Sequence, residues 1–154
     1  MHIATRSAEQ TEVHGARFAR ARPRAAEALL VVYLTGDLGA GKTTWVRGFL
    51  AASGVAGAVR SPTYTLVEFY ELADATAVHL DLYRLQQPAE LEGLGVRDWA
   101  GPGYLWLIEW PERGAGALPR ADLAVTLRAG RDVHDITADA QSAVGADWLL
   151  RVGA

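Results

Sequence analysis

The chain has 154 residues, of which half are apolar and 21% are charged, and its formal net charge is −3. This balance predicts one soluble domain over residues 1–154 with a single core, and the negative charge gives no basic field for nucleic acid or anionic lipid. The lack of cysteine excludes disulfides and thiolate zinc sites, and no apolar run is long enough to span a bilayer, so we expect a cytoplasmic protein without a membrane partner.

The first predicted helix begins near Ala8, because Ser7 followed by Gln10 resembles a capping box, and it ends before Pro23. Thr11 falls on the apolar face of this helix at helical spacing. Its hydroxyl can bond back to its own helix or contact a nucleotide, and the spacing allows both interpretations.

The most informative stretch lies between a predicted strand and a predicted helix. Residues 29–34 are an uninterrupted apolar run, typical of a strand buried on both faces of a parallel sheet, and a helix is predicted from Lys42 to Ser53, ending at Gly54. Between them, residues 36–43 fill every fixed position of a phosphate-binding P-loop. The predicted triphosphate site consists of Gly36, Asp37, Leu38, Gly39, Ala40, Gly41, Lys42, Thr43 and Thr44.

Each residue type in this loop suits a phosphate ligand. The glycines permit positive φ angles and let backbone N–H groups approach an anion, to which the helix N-terminus adds further free amides. Lys42 places a point charge on the terminal phosphates, and the hydroxyl of Thr43 can bind the Mg²⁺ that bridges them. Lys42 is therefore a predicted catalytic residue.

A loop of serine, proline and threonine follows the P-loop helix, where many P-loop proteins place a segment that senses the γ-phosphate. Ser61 and Thr63 offer hydroxyls, and Pro62 stiffens the backbone between them. The same composition is common in ordinary turns, so position alone is equally consistent with a switch and with a turn.

Two further apolar strands end in carboxylates. Strands over 65–72 and 77–82 are predicted to form a hairpin that delivers Asp81, and a buried strand over 104–108 ends at Glu109. A P-loop metal needs an acidic partner at the end of a neighbouring strand. Either carboxylate can hold Mg²⁺, directly or through water, and the other can orient or deprotonate the attacking water.

Three side chains near these carboxylates are open to more than one interpretation. His79 is expected to pack in the sheet rather than to bind a metal. Arg84 can face the γ-phosphate as an internal cationic finger or form a salt bridge at a helix start. Trp110 can pack at the rim of the site or anchor a partner.

The rest of the chain completes the predicted fold. A short helix is expected over 89–94, a hairpin from strands over 121–127 and 133–137, and a last helix that packs Trp148 and Val152. The predicted fold class is α/β, a P-loop NTPase three-layer fold with a mixed, mainly parallel central sheet and antiparallel hairpins.

Four segments together resemble the TsaE (YjeE) family of bacterial threonylcarbamoyladenosine-biosynthesis ATPases. The P-loop alone would be unspecific, whereas the other three, in this order and spacing, are very specific. The segments are residues 36–44 (GDLGAGKTT), 61–67 (SPTYTLV), 79–85 (HLDLYRL) and 108–112 (IEWPE).

The resemblance implies a cytoplasmic, ATP-binding partner of the TsaD–TsaB pair. Its weak ATPase activity would drive turnover of the enzyme that places a threonylcarbamoyl group on N6 of a tRNA adenosine. The protein would contact tRNA only indirectly, through that complex. The resemblance also implies Thr11 as a nucleotide contact, Gly39 to Thr44 as the phosphate loop, Thr43 and Glu109 as Mg²⁺ ligands, and Asp81 as a carboxylate important for hydrolysis.

Two other functions stay open at this point. A small-molecule kinase needs an acceptor site and usually an arginine-rich lid, and no such cluster appears after Leu85. A nucleotide-gated binding module would bind the same ligand with incidental hydrolysis.

Overall fold

A seven-stranded mixed sheet runs through the centre of the molecule. The computed structural model describes all residues, 1–154, and arranges the strands in the order β1-β7-β6-β2-β5-β4-β3. The strands are β1 (His2–Thr5), β2 (Leu30–Thr35), β3 (Val67–Glu71), β4 (Thr76–Asp81), β5 (Tyr104–Glu109), β6 (Leu123–Arg128) and β7 (His134–Ala140).

The four central strands of the sheet, β6, β2, β5 and β4, run parallel to one another. The antiparallel pairs β3–β4 and β6–β7 are the two predicted hairpins. In the parallel centre, Asp81 lies opposite Glu109, and Glu109 lies opposite Leu34 at the end of β2. The carboxyl ends of three neighbouring strands therefore meet at one edge, where parallel α/β sheets bind ligands.

Helices cover both faces of this sheet. Helix α1 is capped by Ser7, whose side chain accepts the backbone N–H of Gln10 at 3.2 Å, while the Gln10 side chain accepts the N–H of Arg6 at 2.7 Å. In a capping box the Gln10 side chain would accept the N–H of Ser7 itself, whereas here it accepts that of the preceding residue. The two reciprocal bonds confirm the predicted helix start. The helices are α1 (Ala8–Ala21), α2 (Lys42–Ala52), α3 (Ala89–Gly93) and α4 (Ala143–Gly153), with short 3-10 turns at Val96–Trp99 and Pro111–Gly114.

Two apolar clusters form the core, one on each face of the sheet. The larger packs Phe18, Trp45 and Trp148, from α1, α2 and α4, against the sheet. The smaller packs Leu91 of α3 and the turn at Val96 against the opposite face. Strand residues alternate between the clusters, as the two-residue period of a strand requires. These layers confirm the predicted three-layer α/β fold.

One strand was not predicted. The residues of β1 pair antiparallel with β7, so that Ile3 lies opposite Ile136, and they extend the sheet at its edge. Residues 2–5 place two apolar residues side by side, so they lack the strict alternation of polar and apolar residues that indicates a strand. None of the α-helices combines the length and apolar character that crossing a bilayer requires.

Candidate functional site

The phosphate loop joins β2 to α2 at the carboxyl edge of the sheet. Gly36 has a φ of 141°, and a Cβ there would lie 2.1 Å from the carbonyl oxygen of Leu127 on β6. Gly41, the residue before α2, has a φ of 101°. Both positions favour glycine, the first also because the loop passes so close to the neighbouring strand.

Lys42 is folded back onto its own loop. Its side chain is buried, and Nζ donates to the carbonyl oxygens of Gly36 at 2.6 Å and Asp37 at 2.8 Å. The ammonium also lies 4.2 Å from the centre of the Trp110 ring, within the range of a cation–π interaction. The Lys42 ammonium thus contacts two neutral carbonyl oxygens and an aromatic ring, and charged phosphate oxygens can bind it more strongly.

The charge of Lys42 is set by two opposing effects. Burial lowers the pKa of the Lys42 ammonium, because removal from water disfavours the charged form, and the nearby carboxylates of Glu109 and Asp81 partly oppose this shift. An arriving anion would favour the charged form in the same way as these carboxylates.

Glu109 and Thr43 form the centre of the site. Glu109 ends β5 and is only 2% exposed. The hydroxyl of Thr43, in the first turn of α2, lies 2.9 and 3.0 Å from its two carboxylate oxygens, and His79 Nε2 lies 2.8 Å from Oε1. The structure therefore brings together the two side chains predicted to bind Mg²⁺.

This pair fits a hard cation, because hydroxyl and carboxylate oxygens are the ligands that Mg²⁺ prefers. No group of three or more histidine, aspartate or glutamate side chains forms a cation cage in the protein. A P-loop metal does not need one, since Mg²⁺ is typically held by one or two carboxylates together with water and substrate phosphates.

Asp81, at the end of β4, connects the sheet to the serine-containing loop. Its side chain is 7% exposed; Ser61 donates its hydroxyl to Oδ2, and the backbone N–H of Tyr83 donates to Oδ1 at 3.0 Å. Thr63 in turn donates to Ser61 Oγ at 3.3 Å. The loop predicted as a candidate switch is thus attached to the carboxylate predicted to act in hydrolysis.

Aromatic and cationic side chains form the rim of the site. The guanidinium of Arg84 lies 4.9 Å from the centre of the Tyr64 ring, so Arg84 is placed by an aromatic contact and not by the predicted alternative of a salt bridge. Trp110 packs against Tyr83, with 5.0 Å between the ring centres. Tyr64 is 88% exposed, which leaves this side of the rim open.

These side chains surround one cavity of about 460 Å³. Its size lies within the range of small-molecule sites. Most of the predicted site residues line it, including Arg84 and Trp110 of the rim. The lining residues are Leu38, Gly39, Gly41, Lys42, Thr43, Thr44, Ser61, Thr63, Asp81, Tyr83, Arg84, Glu109 and Trp110.

Thr11 lies on the other side of the phosphate loop. Its hydroxyl donates to the carbonyl of Ser7 in its own helix at 3.3 Å and lies 3.2 Å from the Thr5 hydroxyl. It also lines a smaller cavity of about 130 Å³, next to Gly41 and His134. The structure thus shows the hydrogen bond from Thr11 back to its own helix, while the contact of Thr11 with a nucleotide stays a prediction.

Comparison with known proteins identifies the family. The sequence profile described as threonylcarbamoyl adenosine biosynthesis protein TsaE matches residues 5–136 of this chain. The chain belongs to the TsaE family.

Curated relatives agree with this assignment. Proteins named tRNA threonylcarbamoyladenosine biosynthesis protein TsaE match from Haemophilus influenzae, 50% identical over 77% of this chain and 75% of the relative, and from Treponema pallidum, 34% identical over 83% and 91%. The crystal structure of Bacillus subtilis YdiB is 26% identical and superposes with a TM-score of 0.77, covering 99% of this chain and 93% of that one. The resemblance of the four sequence segments to TsaE is confirmed.

Sequence reasoning missed several side chains around these two cavities. Tyr83 lines the larger cavity and His134 the smaller one, and His79, expected only to pack in the sheet, also contacts Glu109. The sequence did contain one indication that His79 lies near the carboxylates. It precedes Asp81 by two residues on the same strand, and such residues share a face of the sheet.

Proposed function

We propose that this chain is the ATP-binding and ATP-hydrolysing subunit of tRNA N6-threonylcarbamoyladenosine formation. In this role it is a weak ATPase whose hydrolysis drives turnover of a TsaD–TsaB complex. It meets tRNA indirectly, through that complex, and acts in the cytoplasm as a single P-loop domain.

One observation carries the proposal: the phosphate loop and the carboxylates of Asp81 and Glu109 face one cavity. A loop that binds phosphate can serve many functions, but phosphoryl transfer to water also needs a metal ligand and a group that orients the water. The site contains candidates for both, and its family profile is named for threonylcarbamoyl adenosine biosynthesis.

Two groups of side chains would bind the substrate and its metal. Lys42 exchanges the carbonyl oxygens of Gly36 and Asp37 for phosphate oxygens of ATP, which stabilises the negative charge there. Thr43 and Glu109 would hold Mg²⁺, which would neutralise charge on the phosphates.

Asp81 is the best-placed group to act on water, because the shared edge of the sheet places it directly beside Glu109. A carboxylate can accept a hydrogen bond or a proton from the attacking water. Ser61 occupies one of its oxygens, so we propose that release of Ser61 frees Asp81 and changes the loop that carries Thr63. Hydrolysis and loop position are then coupled, as in other P-loop switches.

The test is phosphate release from Mg-ATP together with threonylcarbamoyladenosine formation on tRNA. Both are measured with TsaB, TsaC and TsaD homologues, and phosphate release also with this protein alone. Lys42→Ala is compared with Leu150→Ala, which alters an exposed residue of α4 outside the cavity. We expect the first variant to lose both activities and the second to keep them.

The other outcomes are equally specific. Normal tRNA modification by a folded Lys42→Ala protein would contradict the ATP-dependent role. Phosphoryl transfer to a small acceptor would favour a kinase. Nucleotide binding without partner-stimulated turnover would favour a binding module.

A further inference from the structure

His79 is a fully buried histidine in the sheet, on the strand between β5 and the edge strand β3. It lies on β4, 0% exposed, and its Nε2 is 2.8 Å from Oε1 of Glu109 on the neighbouring strand. Most strand positions around it hold apolar residues, and a buried polar ring is unfavourable unless it is hydrogen-bonded. The contact with Glu109 gives this buried ring its hydrogen-bond partner.

The tautomer of His79 follows from its neighbours. The Glu109 carboxylate is an acceptor, and it already receives the hydroxyl of Thr43. The His79 nitrogen that faces it must then carry the hydrogen. The other ring nitrogen, Nδ1, is buried without a partner, and as an unprotonated nitrogen it leaves no buried N–H unpaired. All the hydrogen bonding of this ring is thus directed at Glu109.

The strand register explains why this position reaches Glu109. Asp81 lies directly opposite Glu109 in the parallel pair, and His79 shares the face of β4 that carries Asp81. Asp81 bonds to Ser61 and to the backbone of Tyr83, leaving His79 as the β4 side chain that bonds to Glu109.

We infer that His79 is a positioning residue for the metal-binding carboxylate. Its Nε2–H holds Oε1 of Glu109, which fixes the carboxylate rotamer so that Oε2 and the Thr43 hydroxyl are presented to Mg²⁺. Ligating carboxylates commonly depend on hydrogen bonds of this kind for their orientation. This inference rests on the proposed function, since it requires a Mg²⁺-nucleotide complex at this site.

Three substitutions at His79 separate positioning from packing. His79→Gln places an amide N–H as many bonds from Cα as Nε2 and can keep the bond to Glu109. His79→Asn carries the same amide one bond closer to Cα, at the position of Nδ1, and His79→Leu fills the space without a donor. The Gln and Asn variants are a matched pair that differs only in the length of the side chain.

The experiment measures ADP affinity by calorimetry, in Mg²⁺ and in EDTA, for the wild type and the three variants, with thermal unfolding as a check of folding. We expect His79→Leu and His79→Asn to reduce the gain in ADP affinity given by Mg²⁺ by about 10- to 100-fold, the usual effect of removing such a supporting bond. The affinity of both variants for ADP in EDTA should stay unchanged, and His79→Gln should keep the Mg²⁺-dependent gain.

An equal loss of ADP affinity in EDTA and in Mg²⁺, or no loss with His79→Leu and His79→Asn, would overturn the positioning role without contradicting nucleotide binding. A wild type that binds no ADP at all would overturn the proposed function instead. If the variants do not fold, the wild type still decides: its ¹⁵N-histidine spectrum should show His79 as the Nε2–H tautomer, and an Nδ1–H tautomer would contradict the inference.

Discussion

The hydroxyl of Thr43 lies within 3.0 Å of both carboxylate oxygens of Glu109, although 66 residues separate the two in the chain. The contact joins the first turn of α2 to the end of β5, and both groups suit the same metal ion. Replacing Thr43 with Val keeps its shape and removes the hydroxyl. We expect Mg²⁺-ADP to bind more weakly by at least about 1.4 kcal/mol, a factor of ten in Kd, because the hydroxyl proposed to bind the metal is lost.

The affinity of Thr43→Val for ADP in EDTA should not change, and calorimetry measures both values. Thr43→Ser keeps the hydroxyl and is the matched control, so it should bind like the wild type. An equal loss with and without Mg²⁺ would show that Thr43 acts on the phosphates and not on the metal.

Ser61 attaches the loop before β3 to Asp81 through its hydroxyl. Hydrogen bonds to charged groups contribute roughly 1.5–3 kcal/mol, so Ser61→Ala should let this loop open more often. We expect faster amide exchange over residues 60–66, measured by mass spectrometry, with the central strands unchanged.

Thr65→Ala is the control for this prediction. Thr65 lies in the same loop and is exposed, and its hydroxyl makes only a 3.5 Å contact with Glu68. The variant should exchange like the wild type. If both variants open the loop equally, attachment to Asp81 is not what orders it.

Helices α1 and α2 cross closely because Gly15 and Gly48 lie at their interface. A Cβ at Gly15 would be 2.0 Å from the Trp45 carbonyl oxygen, and one at Gly48 would be 2.0 Å from that of Glu12. Gly15→Ala should therefore force the helices apart and lower the free energy of unfolding by about 1–3 kcal/mol or more. Urea unfolding measures the change.

Gly93→Ala provides the comparison. Gly93 ends α3, and a Cβ there has no atom within 4 Å, so this variant should lose no stability. Equal destabilisation by both substitutions would contradict the argument from close helix packing.

Arg22 and Asp74 make the stability of the protein depend on pH. Arg22 follows α1 and forms two hydrogen bonds with Asp74 in the β3–β4 turn, where both side chains are mostly buried. The side-chain hydrogen bond from Arg22 lowers the pKa of Asp74, and its positive charge adds to this effect. The bonded carboxylate thus stabilises the folded state when it is ionised.

Because the folded pKa of Asp74 is depressed, its contribution is complete above the unfolded pKa of about 4 and is lost as the pH falls through the lower, folded value. Asp74→Asn should lower the free energy of unfolding at pH 7 by about 1.5–3 kcal/mol. The difference from the wild type should shrink in urea titrations below pH 4. A difference that stays constant at acid pH would show that charge is not the cause.

Much of the candidate site could be predicted from local sequence. Residues 36–43 are contiguous, and their chemistry depends on backbone conformation and on two side chains, so the pattern alone indicates a phosphate ligand. Asp81 and Glu109 were predictable for a different reason. Each follows an apolar strand, and the ends of parallel strands meet at one edge of a sheet.

Other features could not be predicted in this way. Residues 2–5 form a strand only because β7, more than a hundred residues later, provides their hydrogen-bonding partners. Likewise, nothing near Arg22 in the sequence indicates Asp74, since the two meet only when the β3–β4 hairpin reaches the end of α1.

The sequence by itself was enough to predict a phosphate ligand and to determine the three-layer fold class, because glycine backbone freedom, lysine charge and apolar periodicity act over a few neighbouring residues. Only the tertiary structure decided that Ser61 bonds to Asp81 and that His79 faces Glu109. Those contacts depend on strand register and on how closely the loop approaches the sheet, and the packing of residues distant in the chain sets both.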